Sequence, residues 1–306
     1  MLRLAAIGEC MLELSPANQT DYSLGFGGDT LNTAIYFARL GGEVDFVTAL
    51  GDDHLSENMI RAWGKENVGT NLVKRTPGAL PGLYMIQTDD EGERSFHYWR
   101  KNAPARTLIE DWPEVLTSLN AFPAIYLSGI TLSLYSPQSR IALFNFLDKY
   151  RAQNGQVIFD INYRPASWPD KTEALATFDE MLKRTDTALP SFDDEKLLHG
   201  EHSKTECLER YLTAGAKEVV IKDGVNGCLL HTNNQSVLLP VPAKVTPVDT
   251  TAAGDSFNGA YLAARLNGAS AERAVTQGQA CAALVIQHRG AIVPINAFRA
   301  SDIKNN

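Results

Sequence analysis

No apolar run in this sequence is long enough to span a bilayer, and no secretory leader is legible at its start. No two cysteines stand at Cys-x-x-Cys spacing. Cys10, Cys207, Cys228 and Cys281 are scattered, which argues against a zinc site or a disulfide framework and for packing thiols in a reducing cytoplasm. The histidines form no metal-like cluster; His199 and His202 flank Gly200-Glu201 in a predicted loop. Positive charge is scarce, with 28 Lys and Arg against 36 Asp and Glu, a net charge of −8. That balance argues against nucleic acid or an anionic membrane as the main partner, and it makes each arginine and lysine informative. Two glycine signatures are also missing. There is no Gly-x-x-x-x-Gly-Lys-Ser/Thr, so no P-loop. The first strand runs into Gly8-Glu9-Cys10 rather than Gly-x-Gly-x-x-Gly, which counts against a dinucleotide-binding dehydrogenase.

What remains is an ordinary globular composition, 44% hydrophobic and 21% charged over 306 residues, enough for one large core or two domains. Short apolar runs at 2–7, 45–50, 124–127, 157–159, 187–189 and 219–221 read as strands. Helical periodicity falls at 54–63, 137–150, 173–182 and 206–212. The alternation predicts an α/β fold, a parallel sheet covered by helices on both faces. Residues 12–26 and 72–100 break the pattern. Their strand-like runs and the turn Asp89-Asp90-Glu91-Gly92 predict a hairpin, inserted into one α/β domain rather than forming a second.

Two segments carry chemistry. In Asp249-Thr250-Thr251-Ala252-Ala253-Gly254-Asp255, small residues precede an acid. Phe257, Ala260, Tyr261 and Ala264 then fall at i, i+3, i+4 and i+7, so a helix starts near Gly254. Bare amides and the helix dipole make that start an anion site. A carboxylate in the same turn fits if Asp255 takes a proton from a hydroxyl that attacks a phosphoryl group held there. A capped helix with an acid in its first turn is the plainer alternative. In Gly25-Phe26-Gly27-Gly28-Asp29-Thr30-Leu31-Asn32, glycines let backbone approach a ligand, while Asp29 and Asn32 can bind hydroxyls. A glycine loop capped by Asp29 is the competing reading.

Together, Gly-Gly-x-x-x-Asn and Asp-Thr-x-x-Ala-Gly-Asp resemble the paired signatures of the ribokinase-like (PfkB) carbohydrate kinases. Gly8-Glu9-Cys10-Met11, Pro81-Gly82-Leu83-Tyr84, Tyr98-Trp99-Arg100, Asp160-Ile161-Asn162-Tyr163-Arg164-Pro165 and Arg289-Gly290-Ala291-Ile292 are similar to segments of bacterial 2-keto-3-deoxygluconate kinases. The resemblance runs over roughly residues 3–294. It implies a three-layer α/β/α domain with a mostly parallel sheet and a small β-sheet lid, and transfer of the γ-phosphoryl of ATP to a sugar acid. Asp255 would be the base, with the amides of Ala252, Ala253, Gly254 and Asp255 stabilising phosphate charge. Gly27, Gly28, Asp29, Asn32, Tyr84, Tyr98, Arg100, Arg164 and Asp255 would line the sugar. Asn162, Arg164, Lys222, Gly224, Gly227, Gln279 and the turn 252–255 would line the nucleotide. ATP with Mg2+ is the implied cofactor; a monovalent cation and a homo-oligomer are compatible with it.

The residues themselves support parts of this. Tyr98 and Arg100 share a predicted strand face, suited to sugar hydroxyls and a carboxylate; an amphipathic hairpin packing its aromatics on the domain is the alternative. Arg164 follows a strand whose carboxyl end is where α/β sheets bind ligands. Lys222-Asp223-Gly224-Val225-Asn226-Gly227 suits a tight turn beside phosphates, although such turns also join ordinary strands. One departure stands out. Where the family commonly carries Asn-x-x-Glu, this chain reads Pro190-Ser191-Phe192-Asp193-Asp194-Glu195. Asp194 or Glu195 could hold metal-bound water, and magnesium is expected to arrive on ATP. The rival within the family is another sugar kinase such as a fructokinase; a catalytically silent sugar sensor is the rival outside it. Two arginines favour a carboxylated substrate.

Overall fold

The computed structural model describes residues 3–18, 20–88, 94–200, 203–242 and 244–305. The first strands are β1 (Arg3–Ile7), β2 (Met11–Pro16), β3 (Tyr22–Gly27), β4 (Glu43–Gly51), β5 (Val68–Gly69) and β6 (Val73–Thr76). They are followed by β7 (Leu83–Thr88), β8 (Arg94–Trp99), β9 (Ala124–Ser128) and β10 (Gln156–Asp160). The last are β11 (Thr187–Ala188), β12 (Glu218–Lys222), β13 (Cys228–Thr232) and β14 (Gln235–Leu239).

The large sheet runs β14-β13-β12-β11-β10-β9-β1-β4-β5, with β6 also on β4. From β12 to β5 the pairs are parallel, while β13 and β14 are an antiparallel edge. The apolar runs therefore mark strands covered on both faces. Leu4, Ala6 and Phe46 point into one core, and Ala5, Ile7 and Val47 into the other. The predicted helices lie where the periodicity puts them, with ends set by caps. His54–Lys65 begins on Asp53, whose carboxylate accepts from the Leu55 and Ser56 amides. Lys204–Ala214 opens with a Ser203/Glu206 capping box and stops at the left-handed Gly215. Among the described residues no helix is long and apolar enough to cross a membrane.

The second sheet, β3-β2-β7-β8, comes from the stretches expected to break the pattern. β2 pairs antiparallel with β3 and parallel with β7, and β7 pairs antiparallel with β8. Val73–Thr76, within the stretch expected for this small sheet, instead continues the large one beside β4. The turn expected at 89–92 and the loop at His202 lie outside the described residues.

Two helices matter most for the site, an N-terminal binding helix (Asp29–Arg39) and a C-terminal binding helix (Ala253–Leu266). They pack closely because Gly259 has no side chain. A Cβ there would lie 2.7 Å from the Thr33 carbonyl oxygen and 2.8 Å from Tyr36 Cβ. Both helices begin beside the carboxyl ends of the central strands, where Ser128, Asp160 and Lys222 close β9, β10 and β12.

Candidate active site

The N-terminal binding helix starts at Gly28. A Cβ on Gly28 would lie 2.1 Å from the Glu9 carbonyl oxygen, and one on Gly27 would lie 2.3 Å from Tyr84 Oη. Gly28 is therefore needed for close approach of the Glu9 backbone, while at position 27 the end of the Tyr84 side chain would have to give. Asp29 accepts from Asn162 Nδ2 at 2.8 Å, and burial raises its pKa against hydrogen bonds from Ser128, Thr30 and Asn162. Asn32 is buried, donates to Asp255 Oδ2 at 2.9 Å, and keeps its Oδ1 without a partner among the described residues. That oxygen is an acceptor open to a ligand hydroxyl.

The C-terminal binding helix is entered through Ala252, whose φ of 59° is left-handed, an uncommon conformation for a side-chain-bearing residue. The Ala253 N–H closes a turn onto the Thr250 carbonyl at 3.2 Å, so the four-amide cradle expected from the sequence is smaller. The N–H groups of Ala252, Gly254 and Asp255 have no backbone acceptor among the described residues. Asp255 lies in the first turn. Burial and the charge of Asp29 push its pKa up to about 7, against the Asn32 hydrogen bond and the Lys222 ammonium.

Behind these ends sits a buried polar cluster. Asp160 Oδ2 accepts from Lys222 Nζ at 2.9 Å and Asn258 Nδ2 at 2.6 Å, and Asp160 Oδ1 accepts from the Asn162 amide at 3.2 Å. Lys222 also donates to Asn258 Oδ1 at 2.9 Å. Its turn is tight, as the glycines predicted: φ is 48° at Gly224 and 86° at Gly227, and the Asp223 amide reaches the Gly227 carbonyl at 2.9 Å. Sequence reasoning did not single out Asp160 or Asn258. The signal for Asn258 was its place one turn after Asp255, on the same helix face.

The small sheet presents Tyr84 and Tyr98 as cross-strand partners with rings 6.1 Å apart. Tyr98 is half exposed and lies in the field of both Arg100 and Arg164, so these three sequence-predicted residues do converge. Their charges are already engaged. Arg100 forms an ion pair with Glu9, a buried acid whose pKa is raised by burial. Arg164 pairs with Asp194 at 2.9 Å, with its side chain 52% exposed. Tyr84 donates to Glu13. Neither Glu9 nor Glu13 was given a role, because Arg100 and Tyr84 are distant in sequence and leave no local spacing to read.

Other expected residues are engaged within the chain. Asn162, expected at the nucleotide, is tied to Asp29 on the N-terminal binding helix. Gln279 is buried and donates to the Leu239 carbonyl at 3.2 Å, fastening its helix to β14 rather than presenting its amide to a ligand. Glu195 is fully buried, accepting from Arg210 and Tyr211, so it does not face metal-bound water. The described residues contain no group of three or more His, Cys, Asp or Glu able to hold a metal ion.

Comparison with known proteins agrees with this geometry. A model of the pfkB family carbohydrate kinases matches residues 1–297. A 2-dehydro-3-deoxygluconokinase of Dickeya dadantii is 48% identical, over 97% of this chain and 98% of the relative. The Escherichia coli K12 protein of that name is 46% identical over 97% and 99%. A fructokinase from Vibrio cholerae O395, solved with fructose, ADP and calcium ion bound, superposes with a TM-score of 0.82 at 28% identity, covering 95% of this chain and 94% of that one. With both binding helices in place and the family match running almost end to end, this chain belongs to the pfkB family of carbohydrate kinases.

Proposed function

We propose that this chain is an ATP-dependent sugar-acid kinase that phosphorylates 2-keto-3-deoxygluconate, the 2-dehydro-3-deoxygluconate of its relatives' name, at its 6-hydroxyl. The products are 2-keto-3-deoxy-6-phosphogluconate and ADP. The observation that carries the reading is Asp255. A carboxylate with a pKa raised to about 7 stands in the first turn of a helix whose amides face the same space. A general base works best with a pKa near the operating pH.

In this reading Asp255 accepts the proton of the sugar hydroxyl as its oxygen forms a bond to the γ-phosphorus. The bond from that phosphorus to the β-phosphate oxygen breaks, and its electron pair leaves with ADP. The Ala252, Gly254 and Asp255 amides lie where charge on the phosphates would build. Gly27, Gly28, Asp29 and Asn32 would hold the sugar, with Tyr98, Arg100 and Arg164 toward its carboxylate. The small sheet serves as a lid of one α/β unit, keeping water from competing as acceptor.

Magnesium is the metal such a reaction uses, and the acids near the site make no cage for it. Asp160 is filled by Lys222 and Asn258, and Asp194 by Arg164. The ion would arrive on the ATP phosphates. Four free, buried cysteines support a reducing, cytoplasmic setting.

The second reading is a fructokinase. Against it, a neutral hexose gives Arg100 and Arg164 no carboxylate to meet. A coupled ADP-release assay across 2-keto-3-deoxygluconate, fructose, ribose and adenosine tests the choice. The sugar acid should give the highest kcat/KM; a preference for fructose would replace this reading with its rival.

A further inference from the structure

We propose that Lys222 is a fixed cation at the transferring phosphoryl group, and that Asp160 and Asn258 are the positioning residues that hold it there. The inference rests on the kinase reading above. It assigns Lys222 to the group in flight, and gives roles to two residues that sequence reasoning left without one.

The geometry leaves the ammonium little freedom. Lys222 closes β12, and its side chain is only 11% exposed. Of its three N–H bonds, one goes to Asp160 Oδ2 and one to Asn258 Oδ1, each at 2.9 Å. The nitrogen lies 3.6 Å from where a Cβ on Gly254 would stand. Lys222 therefore sits beside the first turn of the C-terminal binding helix, within van der Waals reach of position 254. Lys222 also lies in the field of Asp255, whose pKa it lowers against the larger effect of burial. The ammonium thus lies beside the turn that carries the Gly254 and Asp255 amides and within the electrostatic reach of the proposed base.

Asn258 is fixed as firmly. It is fully buried, and its Nδ2 donates to Asp160 Oδ2 at 2.6 Å and to Tyr126 Oη at 3.1 Å. Turning the amide over would set its NH2 against the ammonium and lose both bonds, so only one orientation fits the network. Asp160, 4% exposed, has its other oxygen occupied by the Asn162 amide. Every partner of the ammonium is thus itself held from a second side. A cation kept still in this way needs no rearrangement as charge grows on the phosphoryl oxygens. If Lys222 served only to neutralise Asp160, its place beside the anion-binding turn would have no purpose.

The test separates these roles. Lys222→Ala should lower kcat about a hundredfold or more, the scale of a lost transition-state donor, while KM for the sugar changes by less than about threefold. Ethylammonium added to the Lys222→Ala enzyme should restore kcat about tenfold or more, because the small cation can occupy the vacated pocket. Displacement titration of Lys222→Ala should show that the preference for ATP over ADP has gone. Asn258→Ala should lower kcat in the parent and hardly at all in the Lys222→Ala background, since there is then nothing to position.

If Lys222→Ala misfolds with Asp160 buried unpaired, Lys222→Ala/Asp160→Asn removes both charges and takes the same measurements. Unchanged ATP-over-ADP preference, no rescue by ethylammonium, or an equal Asn258→Ala loss in both backgrounds would overturn the proposal. A parent enzyme inert toward all four acceptors would overturn the kinase reading instead. The nucleotide titrations then still report on Lys222, so the two failures are distinguishable.

Discussion

Asn32 Nδ2 lies 2.9 Å from Asp255 Oδ2, joining the first turns of two helices that are 223 residues apart in sequence. The contact fixes the carboxylate of the proposed base from the side of the proposed sugar site. Its other oxygen, Oδ1, is left to face a substrate hydroxyl. Asp255→Asn keeps the shape and removes the basicity. We expect kcat to fall by about two to four orders of magnitude, with the fold and ATP affinity nearly intact. Steady-state kinetics with a nucleotide titration checks this; a variant that keeps more than about a tenth of parental turnover removes Asp255 from the mechanism.

The same carboxylate predicts how activity and stability change with pH. The groups facing it are Asp29 and Asp160, which raise its pKa, and Asn32 and Lys222, which lower it, with burial the largest effect. The base is ionised only above about pH 7, so kcat/KM should rise through that pH and level off beyond it. Stability moves the other way. Between the ordinary aspartate value of 3.8 and about 7, the folded chain holds a proton that the unfolded chain has released. Asp255 therefore costs stability progressively as pH rises across that window, and the cost is fully present above it. Asp255→Asn should raise Tm by several degrees at pH 8 and by almost nothing near pH 4. Melting curves at the two pH values decide it; equal shifts at both would mean that the carboxylate is not strained by its surroundings.

Much of this site was legible because local rules and tertiary structure agree. The periodicity after Gly254 marked a helix start, and that start is where the chain needs bare amides. The glycines at 27 and 28 were legible because backbone and a tyrosine hydroxyl press against them. The cluster of Asp160, Lys222 and Asn258 was not, since β10, β12 and the C-terminal binding helix meet only in the fold and leave no shared spacing in the sequence. Arg100 was read as a free guanidinium because its partner, Glu9, lies 91 positions earlier. The strands β13 and β14 were passed over although each holds three apolar residues; those of β14 are largely exposed, as befits a sheet edge.

The Arg100–Glu9 pair divides the two arginines by the kind of loss they cause. Arg164→Ala should weaken binding of 2-keto-3-deoxygluconate by about 1.5–3 kcal/mol, the scale of a charge-assisted hydrogen bond, while Tm hardly moves. Arg100→Ala should do the same to binding and also strand the Glu9 carboxylate, which is 4% exposed. Breaking a buried pair from one side costs about 3–5 kcal/mol. Arg100→Ala/Glu9→Gln, with no charge left over, should recover much of that stability and none of the affinity. Denaturant unfolding with binding titrations on the three variants checks this. If each single substitution weakens binding of an analogue lacking the carboxylate as much as it weakens binding of the sugar acid, the sugar-acid assignment loses its physical basis.

The last prediction concerns movement of the small sheet. Phe96 and Tyr98 stack on one face of β8 and are 44% and 52% exposed, a large aromatic surface to leave in water beside a site built for a sugar. Tyr84, by contrast, is anchored by Glu13 against Gly27. Such a sheet can hinge, with the β2–β7 side held and β8 carrying Tyr98 down over an occupied site. Sugar binding should then lower amide exchange in Arg94–Trp99 more than in Met11–Pro16. ATP hydrolysis without sugar should be slow, because the lid closes only when an acceptor other than water is in place. Hydrogen-exchange mass spectrometry at saturating sugar separates the outcomes. Equal exchange with and without sugar would make the sheet a fixed wall, and water would then have to be excluded by the binding helices alone.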